Sequence, residues 1–134
     1  MEFNALVEAA LAAKAKALAP YSHFSVGAAV LTSSGRIYDG CNIESSSLGL
    51  TICAERLALF KALAAGERSF LAVAVAADSK QVCPPCGACR QVLWDFAPNA
   101  TVLMISGDGT VKSLSAAELL PLAFDQGVIN HDGK

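Results

Sequence analysis

The sequence is short of charge and has no cluster of basic residues. Asp, Glu, Lys and Arg make up 16% of its 134 residues, and the ten Lys and Arg are scattered from Lys14 to Lys134. Because a nucleic-acid-binding surface needs clustered positive charge to neutralise phosphates, this distribution argues against a polynucleotide partner. The formal net charge of −2 points the same way.

The sequence also lacks a continuous apolar run of the about 18 residues that a membrane-spanning helix requires. Its N-terminal segment carries Glu2 and Glu8 before Lys14 and Lys16, whereas a secretory signal peptide begins with positive charge. We therefore expect a cytoplasmic protein with no membrane partner. The odd number of cysteines, five, argues against a disulfide framework and favours metal binding or catalysis at some of them.

Apolar residues, by contrast, are abundant and make up 54% of the sequence. This composition excludes intrinsic disorder. The length predicts a single domain over residues 1–134. A monomer of this size would leave much of that apolar surface exposed, so we expect a homo-oligomer in which part of it becomes interface.

The hydrophobic pattern predicts helices alternating with short strands. Predicted helices cover residues 4–18, 53–63 and 86–96, and Ser115 to Glu118 has the spacing of a capping box for a last short helix. Predicted strands cover residues 26–31, 36–43, 71–77, 101–105 and 110–114, the first two forming a hairpin. Buried strands alternating with helices indicate an α/β fold with helices on both faces of the sheet.

Two cysteine motifs open two of these helices. Cys53-Ala54-Glu55 begins one, and Pro85-Cys86-Gly87-Ala88-Cys89 begins the other. Helix N-termini favour thiolates, and three thiolates suit Zn²⁺ with an open fourth position for water. The Glu55 carboxylate is then placed to move protons beside that water.

The ligand register is ambiguous because Cys83 and Cys86 also form a C-x-x-C pair. Zinc-bound thiolates accept backbone N–H groups, which Gly87 and Ala88 can donate and two prolines cannot. We therefore predict Cys86 and Cys89 as ligands and Cys83 as a bystander. A redox dithiol, or three cysteines packed in a core, are the alternatives.

Five segments, in order along the chain, match the pattern of one known family. They are Tyr21-Ser22-His23-Phe24, Val26-Gly27-Ala28-Ala29, Gly40-Cys41-Asn42-Ile43-Glu44, Cys53-Ala54-Glu55-Arg56 and Pro85-Cys86-Gly87-Ala88-Cys89-Arg90-Gln91-Val92. With these segments the sequence resembles the small, homotetrameric, zinc-dependent cytidine deaminases over nearly its whole length.

The resemblance implies a three-layer α/β/α fold with a mixed sheet of about five strands. It implies one Zn²⁺ per subunit, held by Cys53, Cys86 and Cys89, with Glu55 as acid and base and Arg56 hydrogen-bonded to the ligand sulfurs. The implied reaction is hydrolysis of free cytidine and 2′-deoxycytidine to uridine and 2′-deoxyuridine with release of ammonia, in pyrimidine salvage.

Substrate contacts follow from the same resemblance. Asn42 and Glu44 would hold the ribose hydroxyls, Phe24 would pack on the pyrimidine, and Ala54 would lie near the base edge. Phe124 would enter the site of a neighbouring subunit in a tetramer with shared sites. We expect His23 to be a packing or hydrogen-bonding residue and Cys41 to be buried and inert.

One position departs from the family pattern: Leu48 stands where many members carry a tyrosine that reaches across a subunit interface. Leucine cannot donate that hydrogen bond. Other functions remain open at this point. They are deamination of a cytosine-containing antibiotic such as blasticidin S, a non-catalytic zinc-stabilised interaction module, and a redox protein built on Cys83 and Cys86.

Overall fold

The computed structural model describes residues 3–125, so the predicted domain extends beyond the described residues at both ends. Within that range the helices are α1 (Asn4–Lys14), α2 (Ala54–Ala64) and α3 (Gly87–Phe96), with a short 3₁₀ helix at Leu48–Leu50. The strands are β1 (Val26–Thr32), β2 (Ile37–Cys41), β3 (Phe70–Ala77), β4 (Thr101–Ile105) and β5 (Val111–Ser115). None of these helices is long and apolar enough to cross a membrane.

The strands form one mixed sheet in the order β2-β1-β3-β4-β5. Only β3 and β4 run parallel, while β1 is antiparallel to both β2 and β3. Helix α3 connects the parallel pair, as a parallel connection requires. The predicted hairpin and the mixed five-stranded sheet are confirmed.

Two apolar clusters lie on opposite faces of the sheet. On one face α1 packs Leu6 and Ala10 against alanines of β1 and β3 and against larger apolar residues of β4. On the other face α2 and α3 pack Leu59 and Leu93 against the valines of β1, β3 and β4. The prediction of helices on both faces is therefore confirmed, and the near-continuous apolar strands reflect burial on both sides.

Two glycines allow the helices to approach the sheet closely. A Cβ on Gly27 of β1 would lie 2.1 Å from the Ala10 carbonyl oxygen of α1. A Cβ on Gly40 of β2 would lie 2.6 Å from the Ala54 carbonyl oxygen at the start of α2. The start of α2, which carries the Cys53 motif, therefore rests directly on the sheet.

Helix α1 ends at Lys14 rather than at residue 18, so the predicted end is wrong. Leu18 leaves the helical path to form a bridge with Ile43. The Leu18 N–H donates to the Asn42 carbonyl at 3.0 Å, and the Leu18 carbonyl accepts from the Glu44 N–H at 2.9 Å. These pairings replace the hydrogen bonds that would have continued the helix, and Pro20 prevents a restart.

The last short helix predicted after Ser115 is a turn in the structure. The capping hydrogen bonds themselves do form: the Glu118 N–H donates to Ser115 Oγ at 3.1 Å, and the Ser115 N–H donates to Glu118 Oε1 at 2.8 Å. Pro121 disfavours helical geometry at the preceding residue, so the chain cannot extend the turn into a helix.

Candidate active site

A cavity of about 270 Å³ lies where the N-termini of α2 and α3 meet the ends of β1 and β2. Cys53 is the N-cap of α2 and Cys86 is the N-cap of α3, both in extended conformation. The cavity is lined by Ser22, Phe24, Val26, Asn42, Glu44, Thr51, Ile52, Cys53, Ala54, Glu55, Val75, Cys83, Pro84 and Cys86.

Three cysteine sulfurs form a cluster at the base of this cavity. The Sγ atoms of Cys53, Cys86 and Cys89 all lie within 4.8 Å of one another, and those of Cys53 and Cys86 are 3.8 Å apart. A tetrahedral site with Zn–S distances of about 2.3 Å has its sulfurs roughly 3.8 Å apart. The donor type and the spacing both fit zinc, which these three cysteines would hold.

The sulfurs differ in electrostatic environment. Hydrogen bonds from the Cys89 thiol and the Arg56 guanidinium lower the pKa of Cys53 to about 5. Arg56 Nη2 lies 3.5 Å from Cys53 Sγ and 3.5 Å from the Thr51 carbonyl oxygen. Arg56 thus brings positive charge to the cluster, which offsets the negative charge that three thiolates place around a divalent ion.

Glu55 lies in the first turn of α2 and is only 5% exposed. Burial raises the pKa of Glu55 to about 7, because removal from water penalises the charged carboxylate more than its hydrogen bonds stabilise it. A carboxyl group with such a pKa can both accept and release a proton near neutral pH.

Asn42 lies at the opposite end of the cavity, just after β2, and closes the loop of residues 21–26 against the sheet. Its Nδ2 donates to the Phe24 carbonyl at 2.8 Å, and its Oδ1 accepts from the Val26 N–H at 2.8 Å. Phe24 is half-buried and forms one wall of the cavity.

Glu44 fastens the start of the same loop. Its Oε1 accepts from the N–H groups of Tyr21 at 3.0 Å and Ser22 at 3.1 Å, and its Oε2 accepts from the Ser22 hydroxyl. The Ser22 hydroxyl, with the two backbone N–H groups, holds the pKa of Glu44 below its usual range.

The structure brings most of the predicted site residues into one cavity. The exceptions have simple geometric reasons. Cys89 and Arg56 lie behind the cavity wall, beside Cys53. Phe124 does not line its own chain's cavity: it is 57% exposed, and its carbonyl accepts from Gln91 Nε2 at 2.9 Å. Its predicted action on a neighbouring subunit stays a prediction.

Cys83 lines the cavity but lies outside the sulfur cluster, in agreement with the predicted ligand register. The structure differs from two other expectations in burial. His23 is exposed rather than packed, and it has a φ of 58° in a turn where its N–H donates to the Ala19 carbonyl at 3.0 Å. Cys41 is half-buried rather than buried, and its thiol lies 3.5 Å from the Lys16 carbonyl oxygen.

Two functional contacts were missed in the sequence. One is the hydrogen bond that the Ser22 hydroxyl donates to the Glu44 carboxylate. The only sequence feature that indicated Ser22 is its place in the matched segment Tyr21-Ser22-His23-Phe24. The other is Arg90, whose Nε donates to the Pro85 carbonyl at 2.7 Å and whose Nη1 donates to the Leu119 carbonyl at 3.1 Å. Arg90 thus holds the residue that precedes Cys86. Its position directly after Cys89 was the sequence feature that could have indicated this role.

The chain matches the model of a known protein family. The family described as cytidine and deoxycytidylate deaminase zinc-binding region matches residues 2–105, which include the three cysteines and Glu55. The chain belongs to this family. It is therefore a member of a zinc-dependent deaminase family, and the sulfur cluster is the part of the chain that can hold the zinc.

Individual relatives agree with this assignment. The cytidine deaminase of Halalkalibacterium halodurans is 46% identical over 125 residues, which cover 92% of this chain and 95% of the relative. The cytidine deaminase crystal structure from Burkholderia pseudomallei matches with a TM-score of 0.89 and 50% identity, covering 92% of this chain and 100% of that one. That from Mycobacterium tuberculosis has a TM-score of 0.80 and 38% identity, covering 93% and 98%.

Proposed function

We propose that the chain catalyses the zinc-dependent hydrolysis of cytidine and 2′-deoxycytidine to uridine and 2′-deoxyuridine, with release of ammonia. The observation that carries the proposal is the cluster of three sulfurs beside a buried carboxyl group whose pKa is about 7. The relatives named cytidine deaminase support the choice of substrate.

The metal and the carboxyl group divide the chemistry. Cys53, Cys86 and Cys89 would hold Zn²⁺, which would supply a Lewis acid that activates water for attack on C4. Glu55 accepts a proton from the attacking water as its oxygen bonds to C4, and delivers that proton to N3 of the pyrimidine. Glu55 then takes the remaining proton from the new C4 hydroxyl and passes it to the amino nitrogen, so that the C4–N bond breaks, ammonia leaves and C4 keeps a carbonyl oxygen.

The other end of the cavity supplies recognition. Asn42 and Glu44 offer an amide and a carboxylate to the sugar hydroxyls, which are both donors and acceptors. Phe24 presents a flat apolar surface to the pyrimidine ring. Ala54, fully buried at the start of α2, contributes backbone groups near the base edge.

We place the enzyme in the cytoplasm, in pyrimidine salvage, as a tetramer with shared sites. The exposed apolar side chains around the cavity support the oligomer: Leu48 is 70% exposed and Leu50 is 77% exposed. A second copy of the chain would cover them, and would bring its Phe124 within reach. Sedimentation of the purified protein tests this, and an active monomer would contradict it.

The ultraviolet change from cytidine to uridine tests the activity directly. The wild-type chain and Glu55→Gln are compared, with zinc content measured on both. We expect turnover by the wild type, and a loss of about 10²–10⁴-fold in the variant with zinc retained. If both proteins hold zinc and neither acts on cytidine, the substrate is wrong, and blasticidin S becomes the next compound to test.

A further inference from the structure

The Ser22 hydroxyl is a polar group of the cavity that the proposed chemistry leaves without a task. The hydroxyl group donates a hydrogen bond to Glu44 Oε2, and its oxygen accepts one from the Phe24 N–H at 3.0 Å. One short side chain therefore links the carboxylate at the sugar end of the cavity to the backbone of the aromatic residue in its wall.

We propose that Ser22 is a positioning residue that holds the Glu44 carboxylate in place for the sugar hydroxyls, and so sets selectivity for nucleosides that carry them. This inference rests on the proposed function and goes beyond it, since it assigns the discrimination between sugars to a residue outside the predicted binding set.

Glu44 needs such a partner because burial restrains it only in part. The residue is half-buried, and fixing a glutamate side chain in one rotamer costs conformational entropy. The backbone N–H groups of Tyr21 and Ser22 restrain Oε1 only. The Ser22 hydroxyl is the donor on Oε2, so it decides how the plane of the carboxylate is turned.

The arrangement leaves room for a substrate. An ionised carboxylate has about four acceptor sites over its two oxygens, and the loop fills two on Oε1 and one on Oε2. One acceptor site on Oε2 stays open to the cavity. A sugar hydroxyl can occupy it without displacing Ser22, and then meets a carboxylate that is already oriented.

The loop itself does not depend on Ser22 alone. The Asn42 side chain fastens it through Phe24 and Val26 at 2.8 Å each. Removal of the Ser22 hydroxyl therefore frees Glu44 Oε2 and the Phe24 N–H while the loop stays attached. This separates a positioning role from a purely structural one.

The test compares Ser22→Ala, Ser22→Thr and Ser25→Ala with the wild type. Ser25 lies in the same loop, outside the hydrogen bonds to Glu44. Steady-state kinetics are measured on cytidine and on 2′,3′-dideoxycytidine, which lacks the 2′- and 3′-hydroxyls. For Ser22→Ala we expect the KM for cytidine to rise about ten-fold with kcat within two-fold, and the KM for the dideoxy compound to stay unchanged.

Threonine keeps the hydroxyl, so Ser22→Thr should restore the KM for cytidine to within about three-fold, and Ser25→Ala should behave as the wild type. In a Glu44→Gln background, Ser22→Ala should add no further rise in KM, because the two act as one unit.

Equal rises in KM for both nucleosides, an unchanged KM for cytidine, or failure of Ser22→Ala to fold would each overturn the proposal in favour of a structural serine. Absence of cytidine turnover in the wild type is a different result, since it removes the proposed function itself.

Discussion

The two ends of the cavity are built by different means. At the metal end, Cys53 and Cys86 cap the N-termini of two helices, and Cys89 and Glu55 are buried in the first turns of those helices. At the sugar end, Glu44 is half-buried and lies on an irregular segment that side-chain hydrogen bonds fasten to a loop.

This difference separates chemistry from recognition. Helix ends fix their side chains through the backbone and the core, so a change at the metal end should act on metal binding or on catalysis. A hydrogen-bonded loop can shift by small amounts, so a change at the sugar end should act on KM. Substitutions at each end of the cavity test that division.

Cys89→Ala should abolish stoichiometric zinc. Cys89 is fully buried in the first turn of α3, and its loss leaves two sulfurs where three are needed. Metal analysis of the purified protein measures the effect. Cys83→Ala is the matched control: Cys83 lines the same cavity outside the cluster, and zinc should stay at one per chain. Equal zinc loss in both variants would contradict the assigned ligands.

Glu55→Gln should stabilise the zinc-free chain at high pH. Burial raises the pKa of Glu55 from 4.5 to about 7, so the folded chain binds more protons than the unfolded chain between those values. Its stability therefore falls as pH rises from 4.5 to 7, by up to about 3 kcal/mol.

Urea unfolding with a chelator present, at pH 4 and pH 8, measures this difference. The gain from Glu55→Gln should appear at pH 8 and vanish at pH 4. Glu118→Gln is the control of opposite sign, because hydrogen bonds from Ser115 hold the pKa of that exposed carboxyl below its usual range. A gain from Glu55→Gln that is equal at both pH values would rule out the buried charge as its cause.

Arg56→Gln should weaken zinc binding by about 10–100-fold, which is the usual effect of removing a group that supports a metal ligand. Glutamine is polar but neutral, so it removes the positive charge beside Cys53. Competition with a chelator measures the affinity. An unchanged zinc affinity would show that the positive charge of Arg56 does not stabilise zinc bound by the three thiolates.

Asn42→Ala should raise the KM for cytidine about ten-fold with a much smaller effect on kcat and on zinc content. It removes the hydrogen bonds to Phe24 and Val26, each worth about 1 kcal/mol, and loosens the loop. Asn42→Asp keeps the acceptor for Val26 but replaces the donor to the Phe24 carbonyl with a carboxylate oxygen, so it should raise the KM at least as much. Loss of zinc from Asn42→Ala would show that the two ends of the cavity are not independent.

The metal end could be predicted from the sequence because its signals are local. Cys53 and Glu55 are two residues apart, and Cys86 and Cys89 are three apart, each pair at a helix start whose limits the apolar pattern predicts. The resemblance then assigned both motifs to one zinc site, and the fold brings them together. The predicted central strands β3 and β4 agree with the structure for a similar local reason, since their apolar runs are nearly unbroken.

The sugar end could be named from the resemblance, but its construction could not be predicted. Asn42 bonds to residues 16 and 18 positions away, and Glu44 to residues 22 and 23 away. No periodicity encodes such pairings. The same long-range pairing ends α1 early, because Leu18 joins the strand end at Ile43 instead of continuing the helix.

The attachment of the C-terminal segment to α3 has a consequence for how this chain can vary. Arg90 and Gln91, directly after Cys89, hold that segment by the carbonyl oxygens of Leu119 and Phe124. Every amino acid supplies a carbonyl, so these two attachments do not themselves depend on the side chains at positions 119 and 124. An insertion or deletion between the two positions would instead move Phe124 away from Gln91. The two hydrogen bonds therefore constrain the number of residues between these positions more directly than their identity.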